Sequence, residues 1–189
     1  MDLVMGIFSA FGLSASAGLN AYIPLLVIAL LARFTDLIQL GSPWNALESW
    51  WLIGLLLLLS VVEFFADKVP AVNHVNDVIQ TAIRPAAGAI VFASSAKVIT
   101  DIHPALSLAC GLLVAGGVHA VKSLAVRPAV TATTGGAGNV PVSILEDLIS
   151  TVLSILSVVI PVLVAMIVIL ITAWLVLRMG RRVKYSRMG

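Results

Sequence analysis

Charge is scarce in this chain. Only 11% of its 189 residues are Asp, Glu, Lys or Arg, against about 25% in soluble domains. So few ionic groups do not clothe a water-facing surface. Cysteine is nearly missing: Cys110 stands alone, which excludes an intrachain disulfide and a cysteine-based metal cluster. The opening Met1-Asp2-Leu3 lacks the positive segment of a secretory signal. No nucleophile–base constellation, phosphate-cradling loop or metal-ligand cluster stands out. No catalytic residue, metal or cofactor is expected, and the chain is not read as an enzyme.

What is abundant is apolar surface. Hydrophobic residues make up 60% of the chain and its mean hydropathy is +1.11. Leu3 to Ala32 and Leu148 to Leu177 are each thirty residues without a charge. At about 1.5 Å per residue either run exceeds a hydrocarbon core of about 30 Å. The expected fold is all-α: a polytopic membrane helical bundle with discontinuous or re-entrant segments and a weak internal repeat. Residues 1–178 form one membrane domain, with repeat units at about 1–100 and 101–178, and 179–189 form a basic tail. Arg178, Arg181, Arg182, Lys184 and Arg187 hold five of the eleven basic charges, leaving six basic against nine acidic groups elsewhere, net −3. By the positive-inside rule the C-terminus faces the cytoplasm. The basic tail reads as a topology anchor and not as a nucleic-acid site. The expected location is a bacterial inner membrane, multi-pass. The expected partners are the lipid bilayer, an ion or small solute, and further copies of the chain.

Taken in order, Gly12 to Asn20 is a break in the first run, with Pro24 a turn later, or else a close-packing surface of small residues. Trp44, Trp50 and Trp51 suit a headgroup belt before a second span over about Trp50 to Ala66. Glu63 and Asp67 fall one turn apart on one face of that span, with Lys68 beside them. An intramembrane carboxylate such as Glu63 marks function by default. Pro70 to Arg84 is amphipathic, with Asn73, Asp77, Gln80 and Arg84 at helical spacing. His74 and Asp77 lie three apart there, too few ligands for a metal. His74 reads as a hydrogen-bonded structural histidine, with proton exchange as the other use. Pro85 to Thr100 and Ala105 to about Lys122 are the third and fourth apolar runs, separated by a turn at Asp101-Ile102-His103-Pro104. Glu146 and Asp147 read as acids at a helix start, and Pro161 as a kink in the last helix.

Residues 127–141 interrupt this pattern with Thr131, Thr133, Thr134, Gly135, Gly136, Gly138 and Asn139 between Pro128 and Pro141. Three glycines and two prolines disfavour helix. Irregular backbone at membrane depth survives only when buried in protein or lining a watery cavity. The segment is therefore expected to be non-helical, buried near the 14–20 break, and part of a pathway with Asn20, Glu63, Thr133, Thr134, Gly136, Gly138 and Asn139. Five crossings would put Lys68, Arg84, Lys122 and Arg127 outside, so six crossings or their equivalent are preferred, with 127–141 as the discontinuous one. Val75 to Ala86 and Val118 to Ala129 share six identities in twelve positions, including Arg84-Pro85 and Arg127-Pro128. Repeats and broken helices meeting at the midplane characterise transporters. A channel or transporter is the preferred function. The alternatives are a lipid-phosphate-binding or flipping protein using Arg84 and Arg127, and a non-transporting assembly partner. Asp67, His74, Asp77, Glu146 and Asp147 are secondary polar positions.

Gly12 to Leu26, Ala66-Asp67-Lys68-Val69-Pro70 through Asp77, Ile83-Arg84-Pro85, Thr131 through Asn139, and Leu145-Glu146-Asp147 together resemble the bacterial membrane family known as domain of unknown function 4126. The resemblance covers nearly the whole chain. It implies a small multi-span membrane protein and no particular activity. Asn73 stands where that family suggests aspartate, which weakens a metal reading around His74. Thr131-Ala132-Thr133-Thr134-x-Gly136-x-Gly138 also resembles the potassium-channel filter, with Gly135 and Ala137 replacing its valine and aromatic residue.

Overall fold

A computed structural model describes residues 3–68, 70–95, 103–161 and scattered positions from 163 to 178. Every regular element among them is helical. The elements are α1 (Leu3–Leu19), α2 (Tyr22–Phe34), a short 3₁₀ turn (Trp44–Glu48), α3 (Trp50–Ala66), α4 (Pro70–Ser95), α5 (Pro104–Val121), a π turn (Lys122–Val126), α6 (Arg127–Thr134) and α7 (Asn139–Val159). Among the described residues two stretches, Pro104–Thr134 and Asn139–Val159, are long and apolar enough to cross a membrane.

Small residues set the centre. α1, α4 and α5 pack on one another. Ser14 Oγ on α1 donates to the Gly88 carbonyl on α4 at 2.9 Å. A Cβ at Gly18 would stand 2.6 Å from the Ala115 carbonyl of α5. Side chains this small let helix backbones approach closely. The run from Gly12 to Gly18 is thus a packing face, and the break comes at its far end, at Asn20 and Ala21. α7 runs antiparallel to α1, with Ser150 against Ser16 and Asp147 against Asn20, and also packs on α2. Only Asn20 and Ala21 separate α1 from α2, so the helix is interrupted there and resumes at once.

Three expectations are corrected. Pro85 does not separate an amphipathic helix from a span, since α4 passes straight through it. The residue before a proline is normally pushed out of helix, but the Arg84 side chain is held by buried ion pairs to Glu63 and Asp67. Nor does Pro128 stop the fifth helix. The π turn at Lys122–Val126, closed by the Arg127 amide on the Lys122 carbonyl, shifts the hydrogen-bond register just before Pro128, and such bulges absorb prolines inside helices. Finally, residues 131–139 are not buried, and only 135–138 leave the helix. α6 continues to Thr134, and Gly135 and Gly136 close it with φ of 62° and 93°. Residues 131–135 are exposed and 136–139 lie at or near the surface. The glycines serve a left-handed helix cap. Pro141 sits in the first turn of α7, where no amide hydrogen is needed.

α3 is helical over the residues expected as the second span, and the 3₁₀ turn precedes it, with Trp50 and Trp51 exposed at the start of α3. α7 ends at Val159 and helix resumes at Pro161, so the chain breaks there as the proline implies. The side chains of His74 and Asp77, and the tail 179–189, lie outside the described residues.

Candidate functional site

The polar side chains converge at the α1–α2 interruption. Asn20 Oδ1 accepts from the amides of Tyr22 (3.1 Å) and Ile23 (3.0 Å), capping α2, while its Nδ2 donates to Asp147 Oδ1 at 3.0 Å. On either side of Asn20 a backbone group left by the interruption meets a buried charge. Lys122 Nζ donates to the Leu19 carbonyl at 3.0 Å. The Ala21 amide donates to the Glu63 carboxylate at 3.2 Å. A cation thus faces the C-terminal end of α1 and an anion the N-terminal end of α2, as the helix dipoles favour.

Around this point four carboxylates meet four cations. Glu63, 1% exposed, pairs with Arg84, 0% exposed, at 2.9 Å. Asp67 Oδ2 has Arg127 at 3.3 Å, Arg84 at 3.4 Å and Lys122 at 3.5 Å, and Asn76 Nδ2 donates to its Oδ1 at 2.6 Å. Glu146 Oε2 holds Lys122 and Arg127, each at 2.9 Å. Asp147 pairs with Lys68 at 3.0 Å. His119 Nδ1 lies 3.2 Å from Arg84 Nη1. A guanidinium only donates, so Nδ1 accepts, and the ring hydrogen sits on Nε2, 3.2 Å from Thr81 Oγ1.

The two arginines of the sequence echo thus meet on one oxygen of Asp67. Glu146 and Asp147 lie beyond the first turn of α7, so ion pairs and not the helix dipole hold them. The threonines of the glycine turn bond locally: Thr133 to the Ala129 carbonyl, Thr134 to the Val130 carbonyl, and Asn139 to Thr131. The structure thus groups Asn20, Glu63, Asp67, Arg84, Arg127, Glu146 and Asp147, and leaves Thr133, Thr134, Gly136, Gly138 and Asn139 in a separate surface turn. Lys68, Lys122, Asn76 and His119 were not among the expected site residues. Lys122 and His119 were legible as the polar groups of an apolar run, three apart and hence on one helix face. No set of three metal-ligating side chains occurs among the described residues.

Asn20→Ala removes both the cap and the donor to Asp147. It is expected to destabilise the protein by about 1–3 kcal/mol, read as a lowered melting temperature of purified protein in detergent. Asn20→Asp keeps the cap but sets a like charge against Asp147, and is expected to melt no higher than Asn20→Ala. Parent-like melting of both variants would remove Asn20 from its central place.

The described residues define a class: an all-helical protein with a buried cluster of ionic groups and many large apolar side chains on its outer faces. The family can also be given. Residues 7–182 match the model of the family described as Domain of unknown function (DUF4126), and the chain belongs to that family. No curated protein and no solved structure matches it.

Proposed function

We propose that the protein is an integral membrane channel or transporter for an ion or small solute, with the Asn20 interruption and its charge cluster as the working centre. Large apolar side chains on the outer faces support the membrane reading: Leu57, Leu58, Phe65, Leu113, Leu124 and Leu148 are each more than half exposed. The carboxylates of Glu63, Asp67, Glu146 and Asp147 and the guanidiniums of Arg84 and Arg127 lie inside. In water this distribution is unfavourable; in lipid it is the expected one. The carrying observation is the interrupted helix with buried charges on the backbone groups either side of its break, the arrangement used by transporters at their binding centres. The matched Arg-Pro segments that meet on Asp67 fit a repeat-built centre. Six crossings or their equivalent, with the basic tail in the cytoplasm of a bacterial cell, complete the reading.

The lipid-phosphate alternative needs Arg84 and Arg127 turned toward a headgroup. Both are buried and paired with the chain's own carboxylates, which favours transport. Purified protein in liposomes is expected to pass at least one species from a panel of protons, alkali cations, halides and small neutral solutes. Lys122→Met, which removes the cation from the Leu19 carbonyl, is expected to change that flux about tenfold or more, the rate equivalent of one charge-assisted hydrogen bond. Liposomes that stay tight to the whole panel would refute transport.

A further inference from the structure

α7 carries a polar stripe that the charge cluster does not account for. Ser143, Asp147, Ser150, Ser154 and Ser157 are all buried on one face of α7. At about 1.5 Å per residue this stripe runs about 21 Å along the helix. Opposite it, Ser16 Oγ on α1 lies 2.8 Å from Ser150 Oγ and 2.7 Å from Ser154 Oγ. Ser154 Oγ also reaches the Ser150 carbonyl at 2.7 Å, and Ser150 Oγ the Ser16 carbonyl at 3.2 Å. The ladder starts one turn from Asp147, inside the cluster.

A second observation points to a ligand at the cluster. Ser143 is fully buried one turn before Asp147, and its hydroxyl has no hydrogen-bond partner. On α4, Gln80 is 2% exposed and its Oε1 has none either. Gln80 lies one turn from both Asn76 and Arg84, which each bond Asp67. Unsatisfied oxygens thus sit on the cluster-facing sides of α7 and α4, where buried polar groups are ordinarily satisfied.

We propose that the species moved is the proton, loaded on Asp147 and passed along Ser150, Ser16 and Ser154. The inference rests on the transport reading and names its substrate. The hydroxyl contacts point to the proton. Oxygens 2.7–2.8 Å apart are joined by one hydrogen. A hydroxyl is both donor and acceptor. Each serine takes the incoming proton on a lone pair and releases its own hydrogen to the next oxygen. Only O–H bonds form and break, and every hydroxyl is restored once it rotates back. The carboxylate of Asp147, neutral when loaded, regains its charge and its pair with Lys68 when the proton leaves.

The test is proton entry into liposomes holding the full-length protein and a trapped pH dye, driven by an imposed membrane potential. The parent is expected to acidify the lumen. Asp147→Asn and Ser154→Ala are each expected to slow acidification about tenfold or more, as loss of a relay bond does, with the Gly117→Ala control at the parent rate. If Ser154→Ala fails to fold, Ser154→Cys fills the same space with a weak donor and is expected to show the same loss. Full proton flux in a folded Ser154 variant overturns the ladder, leaving the serines as packing contacts. Flux of an alkali cation, halide or solute without acidification overturns the proton and leaves transport standing. No flux of any species overturns both.

Discussion

Arg84→Ala is expected to be the most damaging single substitution in the charge cluster, at about 3–5 kcal/mol. Arg84 is fully buried, holds Glu63 at 2.9 Å and Asp67 at 3.4 Å, and donates to His119. Removing it leaves the Glu63 carboxylate with the Ala21 amide as its remaining partner. The large figure is the penalty of an uncompensated buried charge and not the worth of the pair. Glu63→Gln/Arg84→Met together should therefore recover much of the loss, because an apolar or neutral replacement of both partners strands nothing. Thermal melts of Glu63→Gln, Arg84→Met and the double variant in one detergent form the cycle. Additive losses would mean that the pair is not coupled and that Arg84 matters only through Asp67 and His119.

The second large effect concerns the contact of α4 with α5. A Cβ at Gly111 would overlap the Gly88 carbonyl and stand 2.7 Å from the Ala89 Cα and 2.6 Å from the Phe92 Cβ. A Cβ at Gly88 would overlap the Ala115 methyl and stand 2.8 Å from the Gly111 carbonyl. Several of these atoms are backbone, so relief requires the helices to separate. Overpacking costs about 1–3 kcal/mol and occasionally more, and Gly111→Val, which adds three carbons against backbone, is expected at or above the top of that range. Gly117, on the same helix, has open space where its Cβ would be. Gly117→Ala is expected to melt with the parent or slightly above it, since alanine favours helix. Equal losses at both positions would point to helix propensity or expression and not to the close approach.

Some of this was legible in the sequence because the physics there is local. α3 begins and ends where the apolar run from Trp50 meets its serine cap and its acids. Glu63 and Asp67 were placed on one face by spacing alone. The rest depended on partners distant in sequence. Pro85 and Pro128 carry the same local signal, and each is overridden: one by ion pairs on Arg84, the other by a change of hydrogen-bond register. The glycines at 135 and 136 do adopt positive φ, but a helix cap asks for that as readily as a pathway does. The crossing count used Lys68, Arg84, Lys122 and Arg127 as loop charges. Each is paired with a carboxylate, so these four are poor guides to orientation. The serine ladder escaped notice because a serine every third or fourth residue barely lowers the hydropathy of an apolar helix.

Asp67 and Arg127 lie 60 positions apart, and Ser16 and Ser154 lie 138 apart. On the membrane reading, that separation governs how the chain is made. When α3 leaves the ribosome, the cations and the α7 serines that satisfy the first helices have not been synthesised. Early segments carrying Asn20, Glu63 and Asp67 cannot settle singly into lipid. They wait beside the insertion machinery, in contact with water, until α7 arrives to close the set. On that reading, folding of this small protein is completed only when α7 arrives, however apolar its beginning.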